Sequence, residues 1–328
     1  MSSEKFFKHP LGVMFAATLA SLLWGSAFPY IKLSYDELEI GKENWSEQLL
    51  FAGYRFVLAA LLILLFMKLI RRKVGYQRGT LLKVSKIGLF QTFLQYAFFY
   101  YGMSMITGIQ GAIIAGTTSF FQILIAHFMY RNDRVNLRKI IGIALGFGGV
   151  ILANVTKGEM SLHMGVGEIC LLLGLFFGAF GNVLSKNEAK ELDVLYMTSW
   201  QMLLGGSALL AVGASFAGPF PFAFTWNAML MLFYLAFLSA TGFVLWNNIM
   251  KYNKVGSVSM YLFLTPVFGV VLSALMLGEV VHLMVLAALG LVVSGIVIVN
   301  QQKKNATHPS RKWFSRRAGY RQSRDESI

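Results

Sequence analysis

The chain alternates long stretches without a formal charge and short polar connectors. Leu11–Ile31 gives 21 uncharged residues, Ile87–Tyr130 gives 44, and Val194–Met250 is again uncharged throughout. Near the end, Val255–Gly278 gives 24 uncharged residues, a single Glu279 follows, and Val280–Asn300 gives 21 more. At a rise of about 1.5 Å per residue, about 20 residues cross a hydrocarbon core of about 30 Å. The longer stretches therefore hold two helices each, with breaks at Thr107–Gly108 and at Ala217-Gly218-Pro219-Phe220-Pro221. The pattern predicts ten helices, at about 11–31, 49–67, 87–107, 108–130, 138–156, 165–185, 195–216, 226–249, 255–278 and 280–300. Lipid offers no partner to backbone N–H and C=O groups, so each crossing satisfies them internally as a helix. The predicted fold is an all-α polytopic membrane protein. The first run is too long for the apolar core of a leader, and it carries Trp24, Gly25 and Pro29, so it reads as an uncleaved first helix.

The last hairpin repeats an earlier one. A shift of 146 residues places Asp133 on Glu279, Gly149 on Gly295 and Asn154 on Asn300, although only five of 44 pairs in 111–154 are identical. The same shift places Arg55 on Gln201, and a shift of 153 places Trp24-Gly25 on Phe177-Gly178. The seven-residue difference fits in the first loop on the outer side. Five is odd, so two five-helix repeats are inverted relative to each other, an arrangement common in secondary transporters. The chain divides into a short N-terminus 1–10, a first repeat 11–156, a second repeat 165–300 and a basic tail 301–328.

Charge then orients this picture. Hydrophobic residues make up 56% and charged ones 13%, so the chain lies outside the globular norm. The net charge is +14. With both termini on the cytoplasmic side of the cell membrane, 25 of the 29 Lys and Arg residues fall on that side. Lys42 and Lys157 alone fall in outer loops, while Lys32 and Arg55 belong to helices. The outer stretch 34–48 is acidic. The basic residues sit in short loops between apolar runs, which answers to topology and not to a nucleic-acid partner. The single Cys170 lies in an apolar run as a packing residue.

Several short motifs, in order along the ten helices, carry a resemblance. They are Trp24-Gly25-Ser26-Ala27-Phe28 with Lys32, Arg55-Phe56, Thr265-Pro266, Leu277-Gly278-Glu279, and Gly290, Gly295 and Asn300 in the last helix. Over about residues 11–300 the chain resembles the bacterial EamA-type carriers of the drug/metabolite transporter superfamily. It departs from the pattern at Phe120, where the second repeat has Pro266, and at Arg131-Asn132-Asp133, where the second has Leu277-Gly278-Glu279. These departures predict a less regular fourth helix. The outer loop after the first helix is also longer. The resemblance implies a plasma-membrane carrier of small metabolites or drugs, often an exporter, working without ATP.

Alternating access needs a central cavity with a few polar groups and helices that can bend. In the first helix Trp24 and Phe28 share a face beside Pro29, which removes a backbone donor. In the third, Gln91, Gln95 and Phe99 recur every four residues with Tyr96 alongside. Amides are costly in lipid, so this face points inward, as substrate contacts or as glue between helices. Tyr261 and Thr265 lie one turn apart next to Pro266. These eight residues are the expected substrate contacts. Asn182 and Trp246-Asn247-Asn248 lie near the cytoplasmic helix ends, which suits an interfacial role at least as well as a binding one. Arg55 suits a bidentate carboxylate contact, an outward-reaching side chain, or a pair with Glu168 or an acid of the outer loop. Glu168 and Glu279 are candidate proton-coupling groups, with Glu279 better suited to a structural role at the helix ends.

No GxxxxGK[ST] phosphate loop, HExxH, CxxC or GxSxG occurs, which leaves no basis for direct ATP coupling, a cofactor, a metal or a catalytic residue. The expected partners are a small-molecule substrate and the lipid bilayer, with a coupling proton and a homodimer left open. The expected function is a secondary exporter of small metabolites such as amino acids, or of aromatic or cationic compounds. The alternatives are a sensor or scaffold that kept the fold without transport, and an intramembrane enzyme.

Overall fold

The structure, a computed structural model, describes residues 3–130, 137–155 and 164–300. The Arg131-Asn132-Asp133 segment, Lys157 and the tail 301–328 lie outside these residues, as do the side chains of Asn154 and Asn300. Ten helical segments follow one another: α1 (Pro10–Glu37), α2 (Trp45–Leu69), α3 (81–105), α4 (Gly108–Met129), α5 (Leu137–Val155), α6 (Val166–Glu188), α7 (Val194–Ala217), α8 (Trp226–Tyr252), α9 (255–277) and α10 (Leu283–Asn300). A short helix, Ser3–Lys8, precedes α1. Among the described residues there is no strand. Six of the segments (α1, α2, α4, α6, α7 and α8) are each long and apolar enough to cross a membrane.

Boundaries agree with the hydrophobic pattern except where polar residues continue a helix beyond the lipid. α1 runs to Glu37 and takes in Asp36 and Glu37 from the start of the acidic stretch, so the connector to α2 is only 38–44. Glu39 turns the chain there in a left-handed conformation (φ 56°). Pro29 does not break α1, which stays helical on both sides of it. The interruptions lie elsewhere. α3 contains a π-helical stretch at Gly88–Leu94, α4 has a turn at Gly116, and α9 begins with a 3₁₀ stretch at Ser259–Phe263. Pro266 sits in the first turn of the α-helical part of α9, where its missing N–H leaves no gap in the ladder.

The packing is symmetric under exchange of the repeats. α2 packs on α7, α4 on α9 and α5 on α10. The contact of α3 with α6 has its counterpart in α8 with α1, and that of α4 with α6 in α9 with α1. These are two inverted five-helix repeats. Glycines let the paired helices approach. A Cβ on Gly53 would lie 2.5 Å from the Leu210 nitrogen, and one on Gly213 equally close to that of Leu50. Gly149 and Gly295, matched by the repeat, behave alike: a Cβ would come within 2.6 Å of the Ala288 carbonyl oxygen and 2.4 Å of that of Gly142. Small residues of this kind let helices pack closely where apolar burial alone gives no drive.

Glu279 joins the repeats on one side of the bundle. Gly278 ends α9 in the left-handed conformation (φ 66°) that glycine adopts without strain. The turn brings Glu279 to the start of α4, where its two carboxylate oxygens accept from the Gly108 and Ile109 N–H groups, both at 2.7 Å. Thr107 and Gln110 complete a capping box at the same terminus. The free N–H groups and positive end of α4 thus meet a carboxylate.

Candidate functional site

A cavity opens among the middles of seven helices. The first repeat contributes Trp24, Ala27 and Phe28 from α1, Arg55 from α2, Gln95, Tyr96 and Phe99 from α3, and Ala115 and Thr118 from α4. The second contributes Leu175 and Asn182 from α6, Phe243 from α8, and Leu262 and Thr265 from α9. All three helix interruptions border it. The π-helical stretch of α3 ends just before Gln95, the turn at Gly116 lies between Ala115 and Thr118, and Leu262 belongs to the 3₁₀ stretch of α9. Gly116 also packs on the Pro266 ring, since a Cβ there would sit 3.4 Å from Pro266 Cγ. Non-α segments inside membrane helices recur at binding sites, because they free backbone groups and let half-helices move.

Aromatic rings form a continuous wall. Trp24 meets Phe243 at 5.5 Å between centroids, Phe243 meets Tyr96 at 6.3 Å, Tyr96 meets Phe99 at 5.7 Å and Phe99 meets Phe28 at 5.9 Å. Against this wall several polar groups have no partner. Trp24 Nε1, Gln95 Oε1 and Thr265 Oγ1 are buried and make no hydrogen bond within the protein. Buried polar atoms without partners are uncommon in folded proteins, and here three of them lie on one cavity.

Arg55 supplies the charge. It is 1% exposed. Its Nε donates to the Leu235 carbonyl at 3.1 Å and to Ser239 Oγ at 2.7 Å, and Nη1 donates to the Tyr100 hydroxyl at 2.9 Å. The guanidinium stands 5.1 Å from the Phe56 ring, 5.5 Å from Tyr96 and 5.8 Å from Tyr100. These contacts fix its plane, and cation–π attraction lowers the cost of its burial. Among the described residues no carboxylate pairs with it and Nη2 makes no hydrogen bond. The expected pair with Glu168 or an outer-loop acid does not form.

The other expected site residues divide. Trp24, Phe28, Gln95, Tyr96, Phe99 and Thr265 come together on the cavity, with Arg55. Gln91 does not reach it. Its Nε2 donates to Asn182 Oδ1 at 2.6 Å and its Oε1 accepts from Ser185 Oγ at 3.0 Å, so it ties α3 to α6. Tyr261 packs against the cluster of Trp246, Ile249 and Leu262, and of the neighbours Tyr261 and Leu262 in the 3₁₀ stretch it is Leu262 that lines the cavity. Glu168 is buried in the first turn of α6, outside the lining. Glu279 is the α4 cap. Asn182, for which an interfacial and a binding role were both open, lines the cavity, and Thr118 and Phe243 do so as well. Thr118 and Phe243 carried no signal beyond an ordinary apolar run.

The family described as the EamA-like transporter family matches this chain twice, over residues 11–155 and 165–301. "Uncharacterized transporter YoaV" of Bacillus subtilis is 24% identical over 292 residues, covering 87% of this chain and 95% of that protein. "Probable amino-acid metabolite efflux pump" of Salmonella typhimurium is 26% identical over 296 residues, covering 87% and 93%. A solved crystal structure with 16% identity has a TM-score of 0.65 and covers 88% of this chain and 96% of that one, a likeness of fold.

Proposed function

This chain belongs to the EamA-like transporter family, and from that premise we propose that it is a secondary exporter of small metabolites, working by alternating access at the cavity between its two repeats. The observation that carries the reading is the cavity itself. Both repeats line it near mid-helix, its walls hold unpaired Trp24, Gln95 and Thr265 atoms, and three interrupted helices border it. A rocking of one repeat against the other would expose such a site to each side in turn. The contacts are Trp24, Phe28, Arg55, Gln95, Tyr96, Phe99 and Thr265. Export follows the relative from Salmonella typhimurium, whose name is an efflux pump.

In this reading the protein lies in the cell membrane with both termini, including the basic tail 301–328, on the cytoplasmic side, which the distribution of its basic loops favours. The repeats are assigned to 11–156 and 165–300. Cationic solutes drop out of the expected range, because the cavity's formal charge is the Arg55 cation. Glu279 is not assigned to proton coupling, since both its oxygens already accept from α4.

The test is purified full-length protein in liposomes loaded with a broad metabolite panel. Efflux of at least one solute down its gradient is expected, with a several-fold loss in Trp24→Ala. Efflux of no panel member, or efflux indifferent to Trp24→Ala, refutes transport through this cavity.

A further inference from the structure

We infer that the solute carried in this cavity is an organic monocarboxylate with an apolar or aromatic body, and that Arg55 is the residue that selects it. The inference rests on the cavity being the transport site and goes on to name the class of its ligand.

A guanidinium has five N–H donors in a planar fork. At Arg55, Nε serves the Leu235 carbonyl and Ser239, and one Nη1 donor serves Tyr100. Nη2 and the second Nη1 donor remain. Two such donors on one planar edge match the two oxygens of a carboxylate. The charge requires the same partner. A buried cation is costly unless an anion neutralises it, and no described acid does so. The lining holds one cation and no acid, so it balances one negative charge and repels an amine that brings no carboxylate.

The rest of the wall describes the rest of the solute. Rings of Trp24, Phe28, Tyr96, Phe99 and Phe243 offer faces to an aromatic or branched body. Trp24 Nε1, beside Gly242, is a spare donor, Gln95 Oε1 a spare acceptor, and the Thr265 hydroxyl can act as either. A hydroxyl, amide or amino group beside the carboxylate would find partners there. Tyr100 and Ser239 are positioning residues, holding the fork with its free edge uncommitted.

The experiment compares solutes of one shape and different head groups on full-length protein in detergent. Indole-3-acetate, indole-3-acetamide and tryptamine form one set; 3-phenylpropionate, its amide and 3-phenylpropylamine form the other. Binding is read by calorimetry and by thermal stabilisation. In each set the acid should bind at least tenfold tighter than its amide, about 1.4 kcal/mol, and the amine more weakly than either. Arg55→Gln should bring acid and amide within about twofold of each other, chiefly by weakening the acid. If that variant does not fold, the wild-type comparison decides alone. An amide or amine that binds as well as the acid, or acids that do not bind at all, overturns the carboxylate class. The cavity reading is judged separately, by whether any panel solute moves in a manner dependent on Trp24. A class failure with Trp24-dependent transport intact leaves the exporter standing, and loss of both removes the exporter too.

Discussion

Glu279 offers a sharp test, because two roles predict opposite results from one substitution. As a cap it makes two short hydrogen bonds, at 2.7 Å, to the Gly108 and Ile109 N–H groups. Both residues are buried, so water replaces the carboxylate poorly. A hydrogen bond to a charged group contributes about 1.5–3 kcal/mol, and a helix terminus adds about 0.3–1 kcal/mol for a facing charge. Glu279→Gln keeps one acceptor oxygen and loses the charge, which should cost about 2 kcal/mol. Glu279→Ala leaves both N–H groups without a partner and should cost about 3–4 kcal/mol. The Thr107–Gln110 capping box still holds the third N–H, so α4 should keep its helix. The assay is reversible denaturant unfolding of detergent-solubilised protein, followed by tryptophan fluorescence. Stability should fall in the order Glu, Gln, Ala, and transport by the folded fraction should survive in Gln. Refutation would be a Gln variant of wild-type stability that has lost gradient-driven transport, since that is the behaviour of a coupling proton site and not of a cap.

Two glycines separate packing from function. Gly53→Val places its Cβ 2.5–2.6 Å from the backbone N and Cα of Leu210, which cannot yield without parting α2 from α7; a loss of at least about 2–3 kcal/mol in the same unfolding assay is expected. At Gly178 the three atoms nearest an added methyl all belong to the end of the Gln95 side chain, the closest being Cδ at 2.4 Å. Gly178→Ala should therefore shift stability by less than about 1 kcal/mol while pushing Gln95 into the cavity, which raises KM in liposome transport several-fold. An unchanged KM would place Gln95 outside the transport path.

How much was legible beforehand differs from residue to residue. Trp24 and Phe28 were readable because they share a face next to the family's Trp-Gly-Ser-Ala-Phe motif. Gln91 and Gln95 looked equivalent, four residues apart on one inward stripe. Only the packing separates them: Asn182 and Ser185 of α6 take both ends of the Gln91 amide, whereas the Gln95 oxygen meets no partner. Tyr261 and Thr265 were likewise one turn apart, yet in the structure Leu262 and Thr265 line the cavity and Tyr261, in the 3₁₀ stretch, does not. Pro29 signalled a break that does not occur, while the π-helical stretch in α3 had no signal.

The number and order of the crossings, the inverted repeat and the paired Gly149 and Gly295 could be read from the sequence alone. This is so because the bilayer acts on each segment alone: length, missing charge and internally satisfied backbone are local properties. The tertiary structure alone decided where the polar groups lead. Arg55 turned to Tyr100, Leu235 and Ser239 and not to an acid, Glu279 turned to the start of α4, and seven helices left one volume unfilled between them. A polar side chain in lipid must find a partner, but which partner depends on contacts between residues as far apart as Arg55 and Leu235, and helical periodicity carries no information across that distance.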